Sequence, residues 1–196
     1  MNKLLQTRQA IGRKTHKKTI TKEKLLGQPK IFLIGMPGSG KTYWTDVLRK
    51  KIKLPSYDLD SLLEGMEERT VNEIFAEEGE DYFRKGEEKM LRLFSEMTQY
   101  IVSTGGGTPC YGNNMEWMNK TGTTIWLDEP VEVLKKRILE DPKVRPLVNN
   151  KKEDKVLAYL QQKLNERSRY YQLAAFRLSG SQLTEEKLIE IIRQHA

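Results

Sequence analysis

Gly35-Met36-Pro37-Gly38-Ser39-Gly40-Lys41-Thr42 fits the spacing G-x-x-x-x-G-K-[ST]. Glycines at 38 and 40 let the backbone turn tightly, so that successive N–H groups face one anion. A helix opening at Lys41 points its positive end at the same place. The backbone of Gly38, Ser39, Gly40, Lys41, Thr42 and Tyr43 is therefore a candidate phosphate cradle. Lys41 adds a mobile cation for the β- and γ-phosphates, and the Thr42 hydroxyl can bind the Mg²⁺ that bridges them. The motif calls for a nucleoside triphosphate, ATP in the first place, and leaves the acceptor open.

Five further features follow. Asp58 and Asp60 stand two apart after a short extended segment, where both could face one cleft. One would face the metal or its water shell, and the other would orient a hydroxyl and take its proton. The alternative is a solvated turn or a helix N-cap before Ser61. Arg84 taken singly is a helix-surface charge paired with Glu80 or Glu88. Gly105-Gly106-Gly107 follows a strand and offers close backbone approach and N–H donors, or else a plain bend. Arg145, in Val144-Arg145-Pro146-Leu147, is a candidate to close over phosphates from a loop, or else a plain solvated loop residue. Arg167 comes late in a helix. Several arginines beside backbone donors suit an acceptor with its own carboxylate, because a guanidinium pairs with carboxylate through two hydrogen bonds.

These groups need elements to hold them. Short apolar runs at 30–34, 53–58, 100–103, 123–127 and 175–179 read as strands. Helical patterns cover 41–51, 61–68, 70–99 with a break at Gly79, 114–119, 130–140, 153–171 and 184–193. Such alternation predicts an α/β domain over 30–196: a parallel sheet with helices on both faces and ligands at the carboxyl ends of its strands. Residues 141–152, rich in Pro, Asn and Lys, read as a mobile lid.

The 196 residues carry a net charge of +7, which alone would suggest a nucleic-acid or membrane partner. The charge is not spread evenly. Residues 1–30 hold nine bases and one acid, leaving 25 bases against 26 acids in the rest. The expectation is a flexible basic tail over 1–29 on a near-neutral body, with no nucleic acid and no membrane as partner. Cys110 is the one cysteine, which excludes an intrachain disulfide and fits a cytoplasmic location. The two histidines lie near the chain ends, so the chemistry must use carboxylates, Lys, Arg and backbone amides.

The series GMPGSGKT, DLD, IFAEEGEDYFRKGEE, STGGG, VRPLV and NERSRYY, in that order, resembles the shikimate kinase family from about residue 30 onward. The resemblance implies a three-layer P-loop kinase fold, with a five-stranded parallel sheet of order 2-3-1-4-5 and a mobile lid. It implies transfer of the γ-phosphate of ATP, with Mg²⁺, to the 3-hydroxyl of shikimate, and the small size of the chain suggests a monomer. By this likeness Asp60 would be the base and hold the acceptor hydroxyls, and Asp58 would touch the magnesium shell. Arg84 and Arg167 would bind the shikimate carboxylate, and Glu87 would order Arg84. Gly105, Gly106 and Gly107 would offer a backbone N–H, Arg145 would lie near the transferring phosphate, and Arg137 would stack on adenine. Arg169 stands where the family has a proline and competes with Arg167 for its role. Tyr43 and Trp44 are bulkier than the residues common there.

Overall fold

The computed structural model describes residues 28–140 and 153–195. The tail expected over 1–29 lies outside the described residues up to position 27, as does the lid expected at 141–152, Arg145 included.

Five strands form one parallel sheet: β1 (Lys30–Ile34), β2 (Ser56–Asp58), β3 (Tyr100–Ser103), β4 (Thr123–Asp128) and β5 (Phe176–Ser179). Their order is β2-β3-β1-β4-β5, as expected, with every pair parallel. The described helices are α1 (Lys41–Ile52), α2 (Leu59–Glu67), α3 (Val71–Glu77), α4 (Gly79–Arg92), α5 (Asn114–Thr121), α6 (Val131–Glu140), α7 (Glu153–Tyr171) and α8 (Glu185–His195).

Side-chain alternation along the strands builds two cores. Ile31, Leu33, Ile101 and Ile125 meet Leu48 of α1 and Ile191 of α8. Phe32, Ile34, Val102 and Trp126 face the opposite way, onto α2 and α4 to α7. Successive strand residues point to opposite faces, so continuous apolar runs such as KIFLI serve both layers. None of the described helices is long and apolar enough to cross a membrane.

Two boundaries differ from the sequence reading, each for a local reason, while the break expected at Gly79 in the 70–99 run is present. Thr70 and Glu73 form a reciprocal capping box that starts α3, and Gly79, at φ +81°, breaks the chain before α4. After Arg92 the helix tightens into a 3₁₀ turn, Leu93–Glu96, where the Ser95 hydroxyl donates to the Arg92 carbonyl at 2.8 Å. The second strand is only three residues long, and α2 begins at Leu59 rather than Ser61. Asp58 is its N-cap, accepting from the Ser61 N–H at 3.2 Å. Asp60 therefore lies in the first helical turn, and the two aspartates do not share an extended segment.

Candidate active site

The sheet brings three strand ends to one edge. Leu33 pairs with Ser103, Asp58 with Ser103, and Ile34 with Trp126. The glycine-rich loop, the aspartates and the triple glycine all leave the sheet at this edge, where a doubly wound fold holds its ligands.

The loop after β1 wraps as a cradle. Gly38 and Gly40 have φ of +79° and +87°, values open to glycine and costly for other residues. A Cβ on Gly38 would meet Ile138 Cγ1 at 3.0 Å and the Leu134 carbonyl at 3.2 Å, so α6 lies hard against the loop. From that helix Arg137 donates to the Gly38 carbonyl at 3.2 Å and pairs with Glu129 at 2.9 Å. Lys41 is buried, its ammonium donating to the carbonyls of Gly35 and Met36, both at 2.9 Å. Ser39 is buried in the turn. The Tyr43 side chain is exposed and meets Trp44 edge-on. What Tyr43 offers a phosphate is its amide, one of the first-turn N–H groups a helix leaves unsatisfied.

Thr42 donates its hydroxyl to Asp58 Oδ2 at 2.9 Å, while Asp58 Oδ1 caps α2. Asp58 thus caps the helix through one oxygen and meets the Thr42 hydroxyl through the other. A hydroxyl and a carboxylate facing each other beside a phosphate cradle fit Mg²⁺, a hard cation that keeps several waters and takes few protein ligands. Among the described residues, no three His, Cys, Asp or Glu converge as a fuller metal cage.

The triple glycine is the meeting point of the remaining groups. A Cβ on Gly105 would run into the Glu87 carboxylate and come within 2.9 Å of Asp60 Oδ1. One on Gly106 would meet Pro37 at 2.9 Å and Arg167 Nη1 at 3.0 Å, and one on Gly107 would land on the Arg84 guanidinium. Only hydrogen fits at the three positions. The expected close approach is thus toward the chain's own charged side chains.

Arg84 is 7% exposed. It pairs with Glu80 at 3.0 Å, as its helical spacing suggested, and with Glu87, which also accepts from the Thr108 hydroxyl. Burial disfavours the Arg84 charge, but Glu87 and Glu80 outweigh it and hold the guanidinium firmly protonated. Burial likewise pushes the Glu87 carboxyl up, against the pull of Arg84, Thr108 and Arg167. Arg167 is buried and Arg169 is exposed, stacked on the neighbouring Tyr170 ring at 4.8 Å. Two residues along a helix turn the side chain through more than half a circle, which separates the two arginines. Arg84, Gly107, Cys110, Tyr111, Lys163 and Arg167 line a cavity of about 420 Å³.

The structure thus brings together Asp60, Arg84, Arg167 and the three glycines beside the cradle, with Thr42, Asp58 and Arg137 on its rim. It adds groups that the sequence reading did not single out. Thr108 directly follows the glycines. Tyr171 lies one turn after Arg167, and its hydroxyl donates to the Gly106 carbonyl at 2.5 Å. Lys163 lies one turn before Arg167. The period of α7 was the available signal for both.

A glycine cradle between β1 and α1 of a 2-3-1-4-5 parallel sheet defines a P-loop kinase. A model of the shikimate kinase family matches residues 37–196. The shikimate kinase of Bacteroides fragilis is 38% identical over 161 residues, covering 82% of this chain and 90% of that protein. The crystal structure of the Bacteroides thetaiotaomicron shikimate kinase superposes with a TM-score of 0.76 at 36% identity, over 85% of this chain and 94% of that one. The Acinetobacter baumannii enzyme, solved in complex with shikimate, gives a TM-score of 0.75 at 28% identity, over 85% and 92%. The chain belongs to the shikimate kinase family, and its activity is the ATP-dependent phosphorylation of shikimate in aromatic amino acid biosynthesis.

Proposed function

We propose the following division of labour in that reaction. The Gly38–Tyr43 amides receive the phosphates of ATP, and Lys41 turns from the loop carbonyls to the β- and γ-phosphates. Thr42 and Asp58 hold Mg²⁺, which when bound neutralises phosphate charge. Arg84 and Arg167 grip the shikimate carboxylate, with Glu87 and Thr108 fixing the first of them. Asp60 orients the 3-hydroxyl. The hydroxyl oxygen forms a bond to the γ-phosphorus, the bond from that phosphorus to the ADP oxygen breaks, and the hydroxyl proton passes to Asp60. A carboxylate is a weak base, but the proton leaves late and the transfer depends mostly on positioning and charge. Arg137 packs on adenine, and Arg145 meets the charge developing on the phosphoryl group. The enzyme acts as a monomer in the cytoplasm, a reading supported by the small size of the chain and its single cysteine.

The observation that supports this reading most is the approach of Asp60, Arg84 and Arg167 to one glycine turn beside the cradle. Asp60→Asn tests it. Turnover should fall by about 10²–10⁴, the range of a positioned acid or base, with ATP binding by calorimetry unchanged. Near-normal turnover would remove Asp60 from the mechanism.

A further inference from the structure

We propose that the Tyr171 hydroxyl is a positioning group that clamps the acceptor turn onto the phosphate cradle and so couples the binding of the two substrates. The inference rests on the assignment of Arg84 and Arg167 to the acceptor carboxylate.

Tyr171 is the last residue of α7 and has no solvent exposure. It stands four residues after Arg167, on the same helical face. Its hydroxyl donates to the Gly106 carbonyl at 2.5 Å, and the Arg167 charge acts on it from one turn earlier in the helix. The same oxygen lies 3.8 Å from Met36 Sδ, within the cradle. A hydroxyl has one proton to donate, and the carbonyl is the stronger acceptor, so the sulfur is a packing contact. The ring leans on Trp126 of β4 at 5.6 Å between centroids. One oxygen thereby joins the ATP loop, the glycine turn and the helix that carries Arg167. None of these contacts reaches a reacting atom, so the role is positioning.

The chain contains its own control. Tyr100 is equally buried in the same core, and its hydroxyl has no hydrogen-bond partner among the described residues. This core therefore accepts a tyrosine for its ring alone, whereas the Tyr171 hydroxyl has a main-chain carbonyl to donate to.

Tyr171→Phe keeps the ring and removes the clamp. The shikimate KM should rise roughly three- to tenfold, the worth of one net hydrogen bond, with kcat changed less than about twofold. ADP affinity without shikimate should stay as in the wild type, while the mutual tightening of ADP and shikimate should weaken by a similar factor. Tyr100→Phe should change none of these. On the wild-type protein, ADP alone should slow amide exchange in the 104–110 turn, a measurement that needs no variant to fold.

A wild-type shikimate KM and wild-type coupling in Tyr171→Phe would overturn the clamp. So would equal changes in both tyrosine variants, or no protection of the turn by ADP. Arg167→Ala separates this failure from failure of the acceptor assignment. If Arg167→Ala raises the shikimate KM while Tyr171→Phe does not, only the clamp falls. If Arg167→Ala leaves that KM unchanged, the assignment falls and takes the clamp with it.

Discussion

Arg84 is held by Glu87 from within its own helix, both side chains almost wholly removed from water. Glu87 is the counter-charge that allows a guanidinium to stay buried at the acceptor turn. Glu87→Gln keeps the shape and removes the charge. Breaking a buried pair in this way should lower the unfolding free energy by about 3–5 kcal/mol in urea titration. It should also raise the shikimate KM. A stability loss near zero would mean that Arg84 finds its compensation elsewhere.

Gly107→Ala tests the site by steric means alone. Gly107 has φ −91°, a backbone conformation that alanine adopts freely, so the whole effect comes from a methyl group placed on the Arg84 guanidinium. If Arg84 anchors shikimate as proposed, its displacement by about 1 Å should cost about a hundredfold in kcat/KM for shikimate. Nucleotide affinity, read by fluorescence or calorimetry, should be unaffected. A parallel loss for both substrates would point to a general collapse of the turn.

Magnesium dependence should report on Thr42. Thr42→Ala removes the hydroxyl that faces Asp58, and the Mg²⁺ concentration for half-maximal activity should rise about 10–100-fold, as when groups around a metal are lost. Thr42→Ser should restore it. Asp58→Ala is the poorer probe, because it also strips the N-cap from α2. An unchanged Mg²⁺ requirement in Thr42→Ala would count against the metal site.

Cys110 should be an unreactive thiol in the native protein. Burial pushes it from 9.0 up to about 11. At pH 8 the native thiolate fraction, and with it the iodoacetamide rate, should be about 100-fold below that of the unfolded chain. The folded pKa is the raised one, so the thiol's contribution to stability is complete below pH 9 and is lost as pH climbs toward 11. Equal alkylation rates before and after unfolding would contradict this.

Gly65 lies in α2 with nothing within 4 Å of where a Cβ would sit. Gly65→Ala should stabilise the protein by about 0.5–1 kcal/mol with unchanged kinetics, since alanine loses less backbone freedom in a helix. A destabilised variant would show that this helix is packed differently.

The cradle was legible because its signal is local: an apolar strand, glycines at set offsets, then a helix. Strand and helix alternation gave the layers for the same reason, while strand order came from the family resemblance and not from periodicity. The aspartate pair was legible as chemistry and misplaced as structure. Spacing of two reads as one strand face until Asp58 is seen to cap the helix that Asp60 enters. Arg84 shows where local reading stops. Its Glu80 partner follows from the helical repeat, but its burial is imposed by Gly107 and Thr108, which arrive from the far end of β3. The choice between Arg167 and Arg169 needed the rotation of α7, which a motif does not give.

The cradle leaves β1 and the acceptor turn leaves β3, and these two strands are neighbours in register up to Leu33 and Ser103. Just past them, both the N–H and the hydroxyl of Thr104 donate back to the Leu33 carbonyl at 3.2 Å. With the site assignment proposed above, donor and acceptor are spaced by a peptide ladder, whose repeat between strands is about 4.8 Å in any protein. The ruler for the reaction is main chain, and it is indifferent to which apolar side chains fill the layers above and below it. Such an enzyme can exchange much of its core for other residues and still bring its two substrates to the same separation.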